Sequence, residues 1–114
     1  MNASAPSFRK DIVGQRVTDA ALDSDGVRVV FSTDWCVVIW SSAQFTVRGK
    51  LTPLSEISAI VGTKLISFDG SDTHEFLRFS GDLEVAVDLN DRADTQPEAM
   101  MLNGPNTLIV AWND

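Results

Sequence analysis

Residues 83–88 read Leu-Glu-Val-Ala-Val-Asp. In a strand, side chains alternate between faces, so Leu83, Val85 and Val87 turn to one side and Glu84, Ala86 and Asp88 to the other. Similar patterns recur along the chain and predict strands at 16–21, 27–31 and 35–40, then at 64–68, 74–79 and 83–88. Polar, turn-forming residues separate them: "DSDG" (23–26) and "STD" (32–34) in the first set, "DGSD" (69–72) and "SGD" (80–82) in the second. Between the sets, Thr52 and Pro53 read as a cap and a first helical residue. Leu54, Ile57 and Val61 then share one face of a short helix. Residues within 41–48 offer a further strand, and 89–97 is polar enough to be a loop. A last hairpin covers 98–112, with strands at 98–102 and 107–112 around Asn103-Gly104-Pro105-Asn106. The pattern predicts a mainly β (α+β) fold of eight or nine strands with one or two short helices. It leaves open whether they make one sheet, a sandwich or a barrel.

The two sets are one pattern written twice. A shift of 48 residues lays 12–40 on 60–88 without a gap, with seven identities in 29 positions. Ile12-Val13-Gly14 meets Ile60-Val61-Gly62, Phe31-Ser32 meets Phe79-Ser80, Asp34 meets Asp82, and Val37 meets Val85. A repeated supersecondary unit is the simplest source of such a register. Each unit reads as a three-stranded antiparallel meander entered through a glycine, the two packing around Phe31 and Phe79. A length of 114 residues fits a single domain, 1–114.

The positions the repeat fails to keep are as telling. Parity sends Trp35, Val37 and Ile39 inward, and Cys36, Val38 and Trp40 onto the face that in the second unit carries Glu84, Ala86 and Asp88. Val30 likewise stands where the second unit has Arg78. This apolar face predicts a cover: the 53–61 helix or the C-terminal hairpin, a second copy of the chain, or another protein.

Charge sharpens the contrast. The net charge is −7, and residues 1–59 contribute none of it, their six acids balancing six bases. Residues 60–114 carry ten acids against three bases. Such a field repels nucleic acid and anionic membrane and attracts a basic protein. The lone cysteine, Cys36, excludes an internal disulfide and suits a reducing compartment. Residues 1–10 lack the apolar run of a signal peptide, and Cys36 to Trp40 is too short a run to span a membrane. A cytoplasmic protein is expected.

The order of motifs, ending in "PEAMMLNGPNTLIVAW", resembles a group of small uncharacterised bacterial proteins with a C-terminal Tyr-Glu-Ala-Trp and Gly-Pro-Asp-Gly signature. The matching residues are Glu98, Ala99, Gly104 and Pro105; Pro97, Met100 and Asn106-Thr107 depart from it. The resemblance spans 11–112 and implies kinship of fold. Some proteins of this size and make-up are immunity proteins encoded beside secreted toxins.

Candidate chemistry is sparse. The single histidine, His74, opens a predicted strand with no nucleophile motif around it. Cys36 lies in the apolar "WCVVIW", whereas a reactive thiol needs an electropositive, part-exposed site. The acids of 69–72 and 88–94 do not have the spacing of an EF-hand loop. "IVG" lacks the further glycines of a phosphate loop. The expectation is therefore no catalytic residue, no cofactor and no metal. The expected activity is protein binding, foremost inhibition of a basic toxin such as a nuclease. Its contacts would be Asp69, Asp72, Glu84, Asp88, Asp91 and Asp94, with Trp40 and Val38 on the apolar face. A homodimeric interaction domain is the alternative, and a small-ligand site between the repeats a weaker one.

Overall fold

Among the described residues, the alternation predicted for the two repeats becomes six strands. The computed structural model describes residues 11–24, 26–71, 73–89, 100–104 and 109–112. The first meander is β1 (Val17–Asp23), β2 (Gly26–Phe31) and β3 (Cys36–Ile39). Next come β4 (Ala43–Val47), β5 (Lys50–Thr52) and a short helix, Leu54–Ile60. The second meander is β6 (Leu65–Gly70), β7 (His74–Phe79) and β8 (Leu83–Asp88), and a hairpin follows, β9 (Met100–Asn103) and β10 (Ile109–Trp112). The chain is mostly β, in two antiparallel five-stranded sheets. Sheet A runs β1-β2-β3-β9-β10 and sheet B runs β5-β4-β8-β7-β6.

The repeat is visible in detail. Both meanders carry a bulge at the same place, between Val17 and Asp19 and between Leu65 and Ser67. Asp34 and Asp82 both take the left-handed conformation, φ 69° and 65°, closing the β2–β3 and β7–β8 turns. A short acidic side chain tolerates that region better than most residues.

The two "IVG" phrases lie against each other. Arg16 and Lys64, partners under the shift of 48, form an isolated antiparallel bridge. Around it the hydrogen bonds come in matched pairs. The Gly14 N–H donates to Leu65 C=O at 2.7 Å and Gly62 N–H to Val17 C=O at 2.8 Å; Val17 N–H donates to Thr63 C=O at 2.8 Å and Leu65 N–H to Gln15 C=O at 2.9 Å. The repeats are thus related by a local two-fold axis at the Arg16–Lys64 bridge. Gly14 and Gly62 sit at φ 91° and 89°, where a side chain would be strained.

A second consequence of the symmetry is an exchange of hairpins. The β4–β5 hairpin follows the first meander but pairs with β8 of the second, Ala43 opposite Val87 and Val47 opposite Leu83. The β9–β10 hairpin follows the second meander but pairs with β3 of the first, Met100 opposite Ile39 and Asn103 opposite Cys36. Each sheet is one repeat's meander completed by the other's hairpin.

The inner faces share one buried apolar core. It includes Val29, Phe31, Trp35, Val37 and Ile39 of the first repeat, Leu77, Phe79, Leu83, Val85 and Val87 of the second, and Phe45, Met100 and Leu102 of the exchanged hairpins. Phe31 and Phe79 are both buried in it.

Three local expectations need correction. Residues 43–52 make a hairpin rather than one strand, because Arg48 (φ 52°) and Gly49 (φ 79°) supply the two positive φ angles of a tight two-residue turn. The helix is 3₁₀, with three residues per turn, so Ile57 and Ile60 are its buried positions and Val61 is exposed. Thr52 does not cap it; its hydroxyl donates to the Lys50 carbonyl at 3.0 Å. Among the described residues no helix is long and apolar enough to cross a membrane.

Candidate protein-binding surface

The alternation in β7 and β8 that buries Leu77, Phe79, Val85 and Val87 turns a second set of side chains to the outer face of sheet B. Register places His74 opposite Asp88, Phe76 opposite Ala86 and Arg78 opposite Glu84. β6 adds Asp69 opposite Phe76, and β4 adds Gln44 opposite Ala86 and Thr46 opposite Glu84.

Arg78 organises this face. Its Nε donates to Glu84 Oε2 at 2.6 Å, and its Nη1 lies 4.0 Å from Asp69 Oδ2. The guanidinium also stands 5.8 Å from the centre of the Phe76 ring. The hydrogen bond to Glu84, its charge and that of Asp69 hold the Arg78 pKa above its ordinary value. Exposed pairs of this kind contribute little stability, so the cluster fixes side-chain positions more than it holds the sheet. On the other side of Phe76 the His74 ring is stacked, its centroid 6.1 Å away, and His74 Nδ1 is 3.0 Å from Thr73 Oγ1.

His74 and Asp88 line a small polar hollow with Ser42, Ala43, Gln44 and Ala86. The hollow is where the chain enters and leaves the sheet. Asp88 N–H donates to Ser42 C=O at 2.8 Å, Leu89 N–H donates to Thr73 C=O at 2.9 Å, and the Ser41 hydroxyl donates to the Asp88 carbonyl. These bonds tie the β3–β4 link and the β6–β7 turn to the end of β8. Among the described residues no group of three His, Cys, Asp or Glu side chains is placed to hold a metal ion.

The eight residues singled out from sequence do not form one site. Asp69, Glu84 and Asp88 share the outer face of sheet B, Glu84 half-buried against Arg78 rather than free in water. Asp72, Asp91 and Asp94 lie outside the described residues. Val38 belongs to sheet A, and Trp40 lies just beyond the end of β3, which stops at Ile39; both are half-buried.

The outer face of sheet A carries Val30, Cys36, Val38 and Met101, all half-buried, with Arg28 opposite Val38, and among the described residues neither element expected to cover it lies over it. The 3₁₀ helix packs mainly on β1, with fewer contacts to β4. The C-terminal hairpin pairs edge-on with β3 and lengthens the face, placing Met101 opposite Val38. Cys36, beside Val30 on this face, is half-buried, and burial pushes its thiol pKa up against a weaker pull from Arg28.

Sequence reasoning missed Glu75. This acid is 1% exposed and occupies the position that Val27 fills in the first repeat. Its space is made by Gly70, which stands where the first repeat has Leu22: a Cβ on Gly70 would come within 2.0 Å of Glu75 Oε2. The signal was available as a paired exchange, Leu22/Val27 for Gly70/Glu75, between register partners.

No protein family, no curated protein and no solved structure matches this chain. The resemblance of the tail rests on Glu98, Ala99, Gly104 and Pro105, of which only Gly104 lies within the described residues.

Proposed function

We propose that the protein is a non-catalytic binding module: an immunity or inhibitor protein that neutralises a basic bacterial toxin, such as a nuclease, in the cytoplasm of its producer. The observation that carries this reading is the outer face of sheet B. Asp69 and Glu84 stand there beside Arg78, and Asp88 farther along the same face opposite His74, in the half of the chain that holds the whole net charge of −7. A field of that sign speeds encounter with a cationic cleft, and the Arg78 contacts hold Glu84 and Asp69 in place beforehand.

The test begins with a tagged pull-down from the producing organism at low and high salt, read by mass spectrometry. A single stoichiometric basic protein, weakened by salt, is expected. Joint Glu84→Lys and Asp88→Lys substitution should then slow association with that protein by about tenfold or more and flatten its salt dependence. Unchanged association would remove this face from the contact.

A second reading is supported by the outer face of sheet A, where Val30, Cys36, Val38 and Met101 adjoin with Trp40 beside them. There the chain would pair with a second copy of itself. A mass that doubles with concentration, and that Trp40→Ala abolishes without lowering the melting temperature, supports this reading over the first.

A further inference from the structure

β5 is an edge strand: among the described residues it pairs with β4 alone. It is three residues long, and its central residue, Leu51, is 68% exposed, the most exposed of the large apolar side chains described. Register with β4 puts Lys50 opposite Val47 and Thr52 opposite Phe45, on the inner side of the sheet, and Leu51 opposite Thr46 on the outer side. On the inner side a groove of about 670 Å³ opens between the hairpin and the 3₁₀ helix. Phe45, Val47 and Ala59 give it apolar walls; Arg48, Lys50 and Glu56 stand at its rim.

The charge of this groove is opposite to that of the molecule. Its rim carries two bases and one acid, on a chain with nine bases and sixteen acids. Neither Arg48 nor Lys50 has an ion-pair partner among the described residues. Arg48 is also held at φ 52°, a conformation uncommon for a residue of its size, by the turn that places it there. An edge strand whose central residue, Leu51, turns its N–H and C=O away from β4, an apolar groove beside it and cations at the rim without an ion-pair partner among the described residues have the parts needed to add a strand from a partner.

We infer that the β5 edge binds an extended acidic segment of a partner protein, which adds a strand to sheet B. Main-chain hydrogen bonds to the N–H and C=O of Leu51, which face away from β4, hold it. A carboxylate of the segment meets Lys50 and Arg48, an apolar side chain enters the groove between Val47 and Ala59, and another rests beside Leu51. This surface lies at the opposite side of sheet B's β4 from β8 and is opposite in charge to the surface proposed for the basic toxin, so the two contacts are separable.

The test uses the full chain, labelled with ¹⁵N, and two synthetic peptides with identical apolar residues. One repeats Asp-Val-Val-Glu, which puts a valine and a carboxylate on each face of an added strand; the other has lysine in place of both acids. The expected result is that the acidic peptide shifts the amide signals of 48–52 and of the 3₁₀ helix, and leaves those of β7 at their free positions. Lys50→Glu with Arg48→Glu should weaken that binding about tenfold or more, and added salt should weaken it in the unchanged protein. Leu51→Asp, exposed and outside the core, is a second variant that should abolish it without unfolding the chain. Absence of shifts with the acidic peptide at millimolar concentration overturns the inference. So do equal shifts with the basic peptide, shifts confined to sheet A, or loss of the β5 signals on concentrating the protein alone, which would make the edge a contact between copies. None of these results depends on Glu84 or Asp88.

Discussion

Gly104 lies against the indole of Trp35. A Cβ added there would come 2.7 Å from Trp35 Cζ3 and 2.8 Å from Cη2, well inside contact distance. Trp35 is buried on the inner side of sheet A, so its ring cannot swing into water at no cost. Gly104→Ala should therefore destabilise the fold by about 1–3 kcal/mol, measured by urea unfolding. The same substitution in a Trp35→Phe background should cost less, because the smaller ring vacates the space. Equal costs in both backgrounds would show that the glycine acts through its backbone alone. Cys36 illustrates a different kind of residue effect. Burial raises its thiol pKa, so the thiolate fraction near neutral pH is lower than that of a free cysteine. Alkylation by iodoacetamide should be slower than for a small free thiol at the same pH and should keep rising beyond the ordinary thiol range. A rate matching the free thiol at neutral pH would contradict the burial. Both residues were noticed in the sequence, Cys36 for its apolar neighbours and Gly104 for its turn; the contact of Gly104 with Trp35 was not legible, because that partner lies 69 residues away along the chain.

At the scale of elements, alternation made the two meanders legible nearly residue by residue. Leu83–Asp88 and His74–Phe79 have the bounds that their pattern implies. The partners of the hairpins were hidden. Nothing in "AQFTVR" or "MMLN" distinguishes pairing with the preceding strand from pairing with its twin in the other repeat, since the twins have the same register and the same parity. The exchange also exposes an asymmetry. Three residues, 40–42, separate Ile39 from Ala43, while twelve, 88–99, separate Val87 from Met100, although the two crossings are equivalent under the two-fold axis. Nine residues are therefore surplus to the crossing. Deleting 90–98 leaves both crossings three residues long and should leave a folded monomer with unchanged near-ultraviolet circular dichroism and a melting temperature within a few degrees, because three residues, 40–42, already span the equivalent crossing. A deletion variant that unfolds, or that forms a dimer by sending its hairpin to a second chain, would show that the second crossing needs the added length. The acidic surface was legible only in part for a related reason. Parity sets Glu84 and Asp88 outward, but the pairing of Glu84 with Arg78 depends on a register that turn geometry decides.

At the scale of the molecule, the exchanged hairpins and the hydrogen bonds at the Arg16–Lys64 bridge make each half depend on the other. Removing the second repeat with its hairpin would strip sheet A of β9 and β10, which pair with β3 and complete it. Neither sheet can open without exposing the inner face of the other, because Phe31, Phe45, Phe79 and Leu102 all belong to one core. Unfolding should therefore be cooperative over the whole chain. The three tryptophans give a direct check. Trp35 and Trp40 flank β3, and Trp112 ends β10, so fluorescence reports on sheet A and its border. Far-ultraviolet circular dichroism reports on both sheets. The two urea transitions should coincide in midpoint and slope. Native-state hydrogen exchange refines the same argument. The amides of Gly14, Val17, Gly62 and Leu65 donate across the two-fold axis, and all four should exchange at one rate, set by global unfolding. If Gly14 and Val17 exchanged well ahead of the amides of Leu83–Asp88, or if fluorescence changed at lower urea than circular dichroism, sheet A would be opening alone. The two repeats would then be neighbours that share a chain, and the axis between them would carry little of the fold's stability.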